Sequence, residues 1–203
     1  MRSRMHNNDF IGLVLCGGRS TRMGRDKGLI RSEKTTWAAH QYKKLNALGM
    51  PTFISVNEMQ ITSYQKIFPS DQLVHDLPFI SINGPLRGLL SAHQAFPEKH
   101  ILCIPCDMPD LSEKFLSELT DAFFRNYPVY QVFIPLVNWQ MQPLCGIYAK
   151  ESLSYFTEQY EADALAHESM IHIVEEYPGT MVMLFEDADV SEFENYNTPE
   201  DLK

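Results

Sequence analysis

The chain has 203 residues, 44% of them hydrophobic, and a formal net charge of −9. This length and composition can bury a substantial core, so we predict a single domain over residues 1–203. The acidic balance argues against a general nucleic-acid-binding protein, which needs a basic face. No apolar run approaches the ~20 residues of a membrane-spanning helix, and four cysteines are too few for a disulfide framework.

The first element in chain order is an apolar run, residues 10–15, which we predict to be a buried strand. Two arginines precede it, as in a secretory signal peptide. However, polar residues at 7–9 interrupt the segment and leave about six apolar residues, where a signal needs roughly 7–15. We therefore expect no signal peptide and a cytoplasmic protein.

A loop rich in glycine and basic residues follows this strand, and we call residues 16–31 the glycine–cation loop. It begins with Gly17 and Gly18. Its basic residues are Arg19, Arg22, Arg25, Lys27 and Arg31. Glycines let backbone N–H groups approach a ligand closely, and cations neutralise a polyphosphate. The loop therefore predicts a site for an anionic ligand, most simply a nucleotide.

Two familiar phosphate motifs do not fit this loop. The dinucleotide fingerprint G-x-G-x-x-G is absent because Gly17 and Gly18 are adjacent. A P-loop has four residues between its glycines and a Lys after the second. Here five residues separate Gly18 from Gly24, and Arg25 follows.

The rest of the chain alternates between strand-like and helix-like segments. We predict strands at 52–56, 73–75, 101–106, 129–137, 144–148 and 181–185. We predict helices at 36–49, 84–96, 112–124 and 152–159, an apolar-periodic stretch to 174, and a last helix capped by Thr198. This alternation indicates an α/β fold with a mostly parallel central sheet flanked by helices.

Polar or glycine residues follow four of the predicted strands: Gly17, Asn57, Asp76 and Asp107. In open α/β sheets ligands bind outside the carboxyl ends of the strands, so we predict that these positions share one crevice. Asn and Asp are also common turn formers, and each position alone has that structural explanation.

Cys103 and Cys106 form a C-x-x-C pair, which is typical of redox sites and of half a zinc site. A zinc site needs a second ligand pair, and the sequence contains no other C-x-x-C and no H-x-x-x-H. The pair also lies in a predicted buried strand. We therefore interpret both cysteines as small core residues.

Residues 15–27, LCGGRSTRMGRDK, match the signature L-x-G-G-x-S-x-R-M-G-x-D-K. The chain thereby resembles the small nucleotidyltransferases of the molybdenum cofactor guanylyltransferase family. Four further segments carry the resemblance: C-D-x-P at 106–109, G-P-L-x-G at 84–88, a Q-P-x turn at 142–144 and N-x-N-T-P-E at 195–200. Cys16 and Arg87 stand where members of the family usually have Ala. The resemblance extends over residues 13–202.

The resemblance implies a Rossmann-like nucleotidyltransferase domain that uses Mg²⁺. The implied reaction joins GMP from GTP to the phosphate of molybdopterin and releases pyrophosphate. Asp107 would hold Mg²⁺ and, with Arg22 and Lys27, act in catalysis by stabilising developing negative charge. The implied nucleotide-binding residues are Leu15, Cys16, Gly17, Lys27, Asn57, Asp76 and Asp107.

One region departs from the family's pattern. Many members have an Arg-rich segment late in the chain that suits a pterin phosphate, whereas residues 162–169 read ADALAHES, with His167 as the one potential cation. An enzyme that uses a sugar- or alcohol-phosphate acceptor therefore stays open, and the cytidylyl counterpart, which uses CTP, is a separate alternative. The Gly17–Gly18 pair favours a purine, because the cytidylyl relatives usually carry one glycine there.

A protein that binds the nucleotide without catalysis, such as a cofactor carrier, is the alternative from another class. The presence of both Lys27 and Asp107 argues against it, because binding alone has little need of both. The expected partners are GTP and molybdopterin, with transient contacts to proteins that handle the cofactor, and neither nucleic acid nor a membrane.

Overall fold

One large β-sheet and one small hairpin organise the fold in the computed structural model, which describes residues 7–17, 26–32, 35–185 and 190–196. The strands are Phe10–Leu15 (β1), Arg31–Ser32 (β2), Thr35–Thr36 (β3), Thr52–Val56 (β4), Leu73–His75 (β5), His100–Pro105 (β6), Val132–Val137 (β7), Gln140–Met141 (β8), Ile147–Tyr148 (β9) and Thr180–Leu184 (β10). The α-helices are Trp37–Ala47 (α1), Ile61–Tyr64 (α2), Pro85–Ala95 (α3), Glu113–Asn126 (α4), Lys150–Glu161 (α5) and Met170–Glu176 (α6).

The strands of the large sheet run in the order β10-β7-β9-β6-β1-β4-β5, and β8 pairs with β7. The neighbours β6, β1, β4 and β5 are all parallel, and β10 is parallel to β7. The short β9 is antiparallel to both β6 and β7. The predicted α/β fold with a mostly parallel sheet is confirmed.

Helices cover both faces of this sheet, which explains why its central strands read as continuous apolar runs. Side chains alternate along a strand. Phe10 and Val14 therefore lie in one buried cluster, with residues of α1 and α4, while Leu13 lies in the other, with residues of α3 and α5. Within the described part of the chain, no helix is both long and apolar enough to cross a membrane.

Side-chain caps start two helices where the sequence predicts them. The Thr36 hydroxyl accepts a hydrogen bond from the Ala39 N–H (3.3 Å), and the Ser112 hydroxyl accepts one from the Phe115 N–H (3.1 Å). Each bond satisfies a donor that a helix start leaves unpaired. The predicted cap at Thr198 lies outside the described residues.

The predicted strand at 144–148 is wrong in its first half. Pro143–Cys145 forms a 3₁₀ turn, and only Ile147–Tyr148 pairs in the sheet. The Cys145 N–H donates to the Gln142 C=O (2.9 Å), so this donor closes a local turn instead of a ladder. The β2–β3 hairpin was not predicted, because two residues a side are too few for a periodic pattern.

All four cysteines are free and buried, which confirms the interpretation of Cys103 and Cys106 as core residues. Burial raises the pKa of the Cys103 thiol to about 12. A hydrogen bond to Cys16, together with burial, raises the pKa of Cys106 well above its ordinary value. Since the thiolate is the reactive form, these groups are chemically inert in the folded state.

We expect the native protein to react very slowly with an aromatic disulfide such as 5,5′-dithiobis(2-nitrobenzoate). The same sample should release four thiol equivalents once unfolded in guanidinium chloride. The absorbance of the released thiolate measures both rates. A cysteine that reacts in the native protein as fast as free cysteine would contradict this expectation.

Candidate functional site

The sheet order places the predicted site positions along one edge. The strands β6, β1, β4 and β5 are adjacent and parallel, so their carboxyl ends lie side by side. Asp107, Gly17, Asn57 and Asp76 follow these four strands. A ligand at this edge can therefore contact segments that are far apart in sequence.

A cavity of about 560 Å³ opens at this edge beside β4 and β5, within the ~300–1,000 Å³ range typical of ligand pockets. The predicted residues that line it are Leu15, Gly17, Asn57 and Asp76. Its other lining residues include Glu58, Met59, His75, Asn83 and Arg87. Of these five, only Arg87 was singled out from the sequence. His75 was predicted only as the end of the strand 73–75, and the others lie in turns that have no periodic pattern.

The loop into α3 forms one wall of this cavity because of two glycines in the G-P-L-x-G segment. Gly84 has φ +86°, a backbone conformation that other residues rarely adopt, and Pro85 then starts α3. At Gly88, a Cβ atom would lie 2.4 Å from the Ser55 Oγ. The absence of a side chain there lets α3 pack directly against the end of β4.

An ion pair joins Lys27 and Asp107 on the β6 side of β1. The Lys27 Nζ lies 2.6 Å from the Asp107 Oδ2, and the two side chains are 16% and 18% exposed. The backbone at Asp107 is also held, because its C=O accepts a hydrogen bond from the Tyr196 N–H (3.0 Å). The fold thus brings together a cation and a carboxylate that are 80 positions apart in the chain.

The side chains of Asp76 and Arg87 bring opposite charges to the cavity wall. Burial raises the pKa of Asp76, and the positive charge of Arg87 partly opposes this rise. The Arg87 Nη2 donates to the Leu77 C=O (2.9 Å). The Asp76 Oδ1 and the Arg87 Nε are buried, and neither has a hydrogen-bond partner in the part of the chain that the structure describes.

Leu15, Cys16 and Gly17 are predicted to bind the nucleotide, and they differ in whether hydrogen bonds within the protein already use their backbone groups. The Cys16 N–H donates to the Ser55 C=O (3.1 Å), and the Leu15 C=O accepts from the Cys106 N–H (3.1 Å). Gly17 is exposed and lines the cavity. Of the three predicted backbone contacts, Gly17 is therefore the best placed to reach a ligand.

Asn57 is also partly committed to the protein itself. Its Oδ1 accepts a hydrogen bond from the Met59 N–H (3.0 Å), which closes the turn after β4. The Nδ2 amide is then the group of Asn57 that can serve a ligand in the cavity.

Arg22 lies outside the described residues, as do Gly18, Arg19 and Arg25. Its predicted role in catalysis stays a prediction. Asn197, one of the asparagines of the predicted N-x-N-T-P-E ending, also lies outside them.

The donor set at the edge fits Mg²⁺ through one carboxylate. The described residues hold no cluster of three or more His, Cys, Asp or Glu side chains that could bind a metal. Asp26 is occupied by hydrogen bonds from Gly28, Gln60 and Tyr64, and the Asp76 Oδ1 is buried. Asp107 is partly exposed, and Mg²⁺ commonly takes one or two carboxylates and fills its other positions with water and phosphate oxygens.

Residues 12–177 match the family model described as the MobA-like NTP transferase domain. The chain belongs to this family. The family therefore confirms the predicted resemblance to small nucleotidyltransferases. GTP as the nucleotide, Mg²⁺ and the cellular compartment stay predictions.

Individual relatives agree with this membership. The chain is 28% identical, over 205 aligned positions and 98% of each sequence, to a probable molybdenum cofactor guanylyltransferase of Halalkalibacterium halodurans. It is 26% identical, over 139 residues and 68% of each sequence, to a protein of the same name from Bacillus cereus.

Solved structures share the fold at low sequence identity. Molybdopterin-guanine dinucleotide biosynthesis protein A of Archaeoglobus fulgidus superposes with a TM-score of 0.76, at 19% identity and over 95% of each chain. A cytidylyltransferase of Leptospira borgpetersenii superposes with a TM-score of 0.60, at 15% identity, over 87% of this chain and 76% of that one. These similarities establish that the protein shares the fold of these solved structures.

Proposed function

We propose that the protein is a Mg²⁺-dependent GTP:molybdopterin guanylyltransferase. In this reaction a phosphate oxygen of molybdopterin bonds to the α-phosphorus of GTP, and the bond to the departing pyrophosphate breaks. The observation that carries the proposal is the Lys27–Asp107 pair, 2.6 Å apart, at the same sheet edge as a ligand-sized cavity, in a member of an NTP transferase family. The names of the relatives support guanine and the molybdenum cofactor as the substrates.

Lys27 is the residue of this chain best suited to stabilise the transition state. Negative charge grows on the phosphate oxygens and on the leaving pyrophosphate as the bond to phosphorus breaks. A fixed cation stabilises this charge more than it stabilises the ground state, and so it raises the rate. The nucleophile needs no general base, because a phosphate group is already ionised at neutral pH.

Asp107 would hold the metal, and Mg²⁺ when bound would neutralise charge on phosphate oxygens. In the described structure the Asp107 Oδ2 accepts a hydrogen bond from Lys27, so the same carboxylate also orients the ammonium group. On the other side of β1, the cavity lined by Asn57 and Asp76 would take the base and ribose.

A second candidate is a nucleotidyltransferase of the same fold that uses CTP, or a sugar- or alcohol-phosphate acceptor. The segment at 162–169, which contains no Arg or Lys, lacks the cations that many members of the family offer to a pterin phosphate, so it weakens the case for molybdopterin as the acceptor and leaves the choice of nucleotide unaffected. The Glu168 carboxylate accepts a hydrogen bond from the N–H of Asn83, a cavity-lining residue, at 3.2 Å. The His167 Nε2 lies 4.0 Å from a Glu176 oxygen. This rim is acidic, whereas a pterin phosphate would favour cations.

Thermal unfolding with GTP, CTP or ATP, each with Mg²⁺, tests the nucleotide. We expect GTP to raise the melting temperature most. Ligand at 100 times its Kd stabilises by ~2.7 kcal/mol, which corresponds to about 5–10 °C for a chain of this size. A shift with CTP or ATP as large as that with GTP would remove the guanine proposal.

Pyrophosphate release in the presence of GTP tests the acceptor. Molybdopterin should support turnover, whereas sugar phosphates and alcohol phosphates should not. Turnover with a sugar or alcohol phosphate alone would establish the second candidate. Tight binding of GTP without turnover on any acceptor would favour the non-catalytic carrier.

A further inference from the structure

The buried amide of Gln60 joins the turn after β4 to two points of the glycine–cation loop. Gln60 follows β4, in the turn before α2, and is 7% exposed. Its Nε2 donates to the Cys16 C=O (2.9 Å) and to the Asp26 Oδ2 (2.6 Å). Its Oε1 accepts from the Asn57 N–H (3.0 Å). The two N–H groups of the amide are thus both used, one on Cys16 directly after β1 and one on Asp26 further along the glycine–cation loop.

Asp26 is held from its other side as well. Its Oδ1 accepts hydrogen bonds from the Tyr64 hydroxyl (2.8 Å) and from the Gly28 N–H (3.0 Å). Tyr64 is fully buried, and burial raises its pKa far above the ordinary value. The phenol therefore stays a neutral donor, and the Asp26 carboxylate has a fixed position between Gln60 and Tyr64.

The fixed Asp26 carboxylate constrains the backbone position of the next residue, Lys27. The Gly28 N–H bond to Asp26 caps the 3₁₀ turn Lys27–Leu29, so the backbone that carries Lys27 cannot rotate without breaking bonds to Asp26. The Lys27 side chain then reaches Asp107 at 2.6 Å. Asp26, Gln60 and Tyr64 touch neither the carboxylate of Asp107 nor the ammonium of Lys27 in any described hydrogen bond.

A side-chain amide is the group that this place requires. The Cys16 C=O and the Asp26 carboxylate both accept hydrogen bonds, so a residue between them must offer two N–H groups while remaining uncharged and buried. Gln does so and also presents the acceptor that the Asn57 N–H needs. A carboxylate in its place would face Asp26 across a buried contact; it would either repel Asp26 or take up a proton, and then offer one donor in place of two.

We infer that Gln60, assisted by Tyr64, is a positioning residue for Lys27. It holds Asp26 so that the Lys27 ammonium stays against Asp107. Through its hydrogen bond with the Asn57 N–H it also fixes the turn after β4, which lines the cavity. The inference rests on the proposed function for its effect on turnover, since it assigns catalysis to Lys27. The effect on the position of Lys27 does not depend on the substrate.

The first test is the Gln60→Glu variant, which keeps the size of the side chain and removes its N–H donors. We expect kcat for pyrophosphate release to fall about 10- to 100-fold, as for a displaced catalytic group. The matched control is Gln65→Glu, the same chemical change at an exposed glutamine five positions along, which should keep the wild-type kcat.

A double-mutant cycle separates positioning from general damage. If Gln60 acts through Lys27, then Gln60→Glu in the Lys27→Ala background should cost far less than in the wild type. If the two substitutions lower kcat by independent factors, so that the loss in the double variant is their product, the inference is overturned. Tyr64→Phe, which removes one hydroxyl from the Asp26 Oδ1, should give a smaller loss that depends on Lys27 in the same way, and it keeps the test available if Gln60→Glu does not fold.

A crystal structure of the Gln60→Glu protein, or of Tyr64→Phe in its place, gives a readout without any substrate. We expect the Lys27 Nζ to leave the Asp107 carboxylate, whereas Gln65→Glu should keep the 2.6 Å contact. An unchanged Lys27–Asp107 contact would overturn the inference even if kcat falls. If the wild type transfers no nucleotide, the proposed function fails, but this structural comparison still decides the role of Gln60.

Discussion

Replacing Lys27 with alanine should lower kcat/KM for pyrophosphate release by roughly 10²–10³, which is about 2.7–4 kcal/mol of transition-state stabilisation. The ammonium is fixed by its 2.6 Å contact with Asp107, so it needs little reorganisation when charge develops on the phosphate oxygens. Steady-state kinetics with saturating Mg²⁺ would measure the loss. Because the charge grows mainly in the transition state, kcat should fall more than KM rises.

Lys114→Ala provides the matched control for this substitution. Lys114 lies in α4 and is 3.8 Å from Glu118, in a largely exposed pair, so its removal should leave both turnover and stability nearly unchanged. Thermal unfolding of both variants would show whether the Lys27 variant is folded. A folded Lys27→Ala protein with kcat/KM within a few-fold of the wild type would remove Lys27 from the proposed mechanism.

The free energy of unfolding should fall by about 3 kcal/mol through His100 as the pH drops from 6.5 to 4. Burial lowers the pKa of His100 from 6.5 to about 4, although Glu151 partly opposes this shift. Between pH 6.5 and 4 His100 binds a proton in the unfolded chain but stays largely neutral in the folded protein. The stabilisation is therefore complete above pH 6.5 and is lost as the pH falls towards 4.

The packing around His100 explains why the folded state excludes this proton. The ring is 4% exposed and lies 5.1–5.2 Å, between ring centroids, from Phe10 and Phe123. The His100 Nδ1 accepts a hydrogen bond from the Lys150 N–H (3.2 Å), and it cannot accept that bond once protonated. Protonation would therefore bury a charge and break a hydrogen bond.

Guanidinium unfolding at several pH values would measure this contribution in wild-type protein and in His100→Asn, whose side-chain oxygen can still accept from Lys150. Subtracting one curve from the other cancels the contribution that carboxylates titrating in the same pH range make to the free energy of unfolding. We expect the variant to have the shallower pH dependence, and His172→Asn, at an exposed site on α6, to match the wild type. Parallel curves for wild type and His100→Asn would contradict the assignment.

Much of the fold could be predicted because its signals are local. The strands at 52–56 and 73–75 coincide with the predicted runs, and Thr36 and Ser112 cap helices where expected. An apolar run or a capping hydroxyl acts on its own few residues, so the sequence pattern suffices. The prediction at 144–148 was wrong because the same apolar residues also suit the turn that begins at Pro143.

The site could be predicted in part for the same reason. Lys27 and Asp107 lie in short motifs of recognisable chemistry, and both are found at the expected sheet edge. Gln60 could not be found in this way. It is a turn residue with no periodic pattern, and its role depends on two acceptors, Cys16 and Asp26, that lie 44 and 34 positions away in the chain.

The amino-acid order alone specifies an α/β chain with a cation-rich, glycine-containing loop after its first strand, because periodicity and backbone chemistry are properties of neighbouring residues. Which carboxylate meets which cation is a matter of tertiary structure. The connections between parallel strands place β6 beside β1, and this adjacency brings Asp107 to Lys27 across 80 positions of the chain. The same packing buries Gln60 between two acceptors, and only in that place does its amide gain a function.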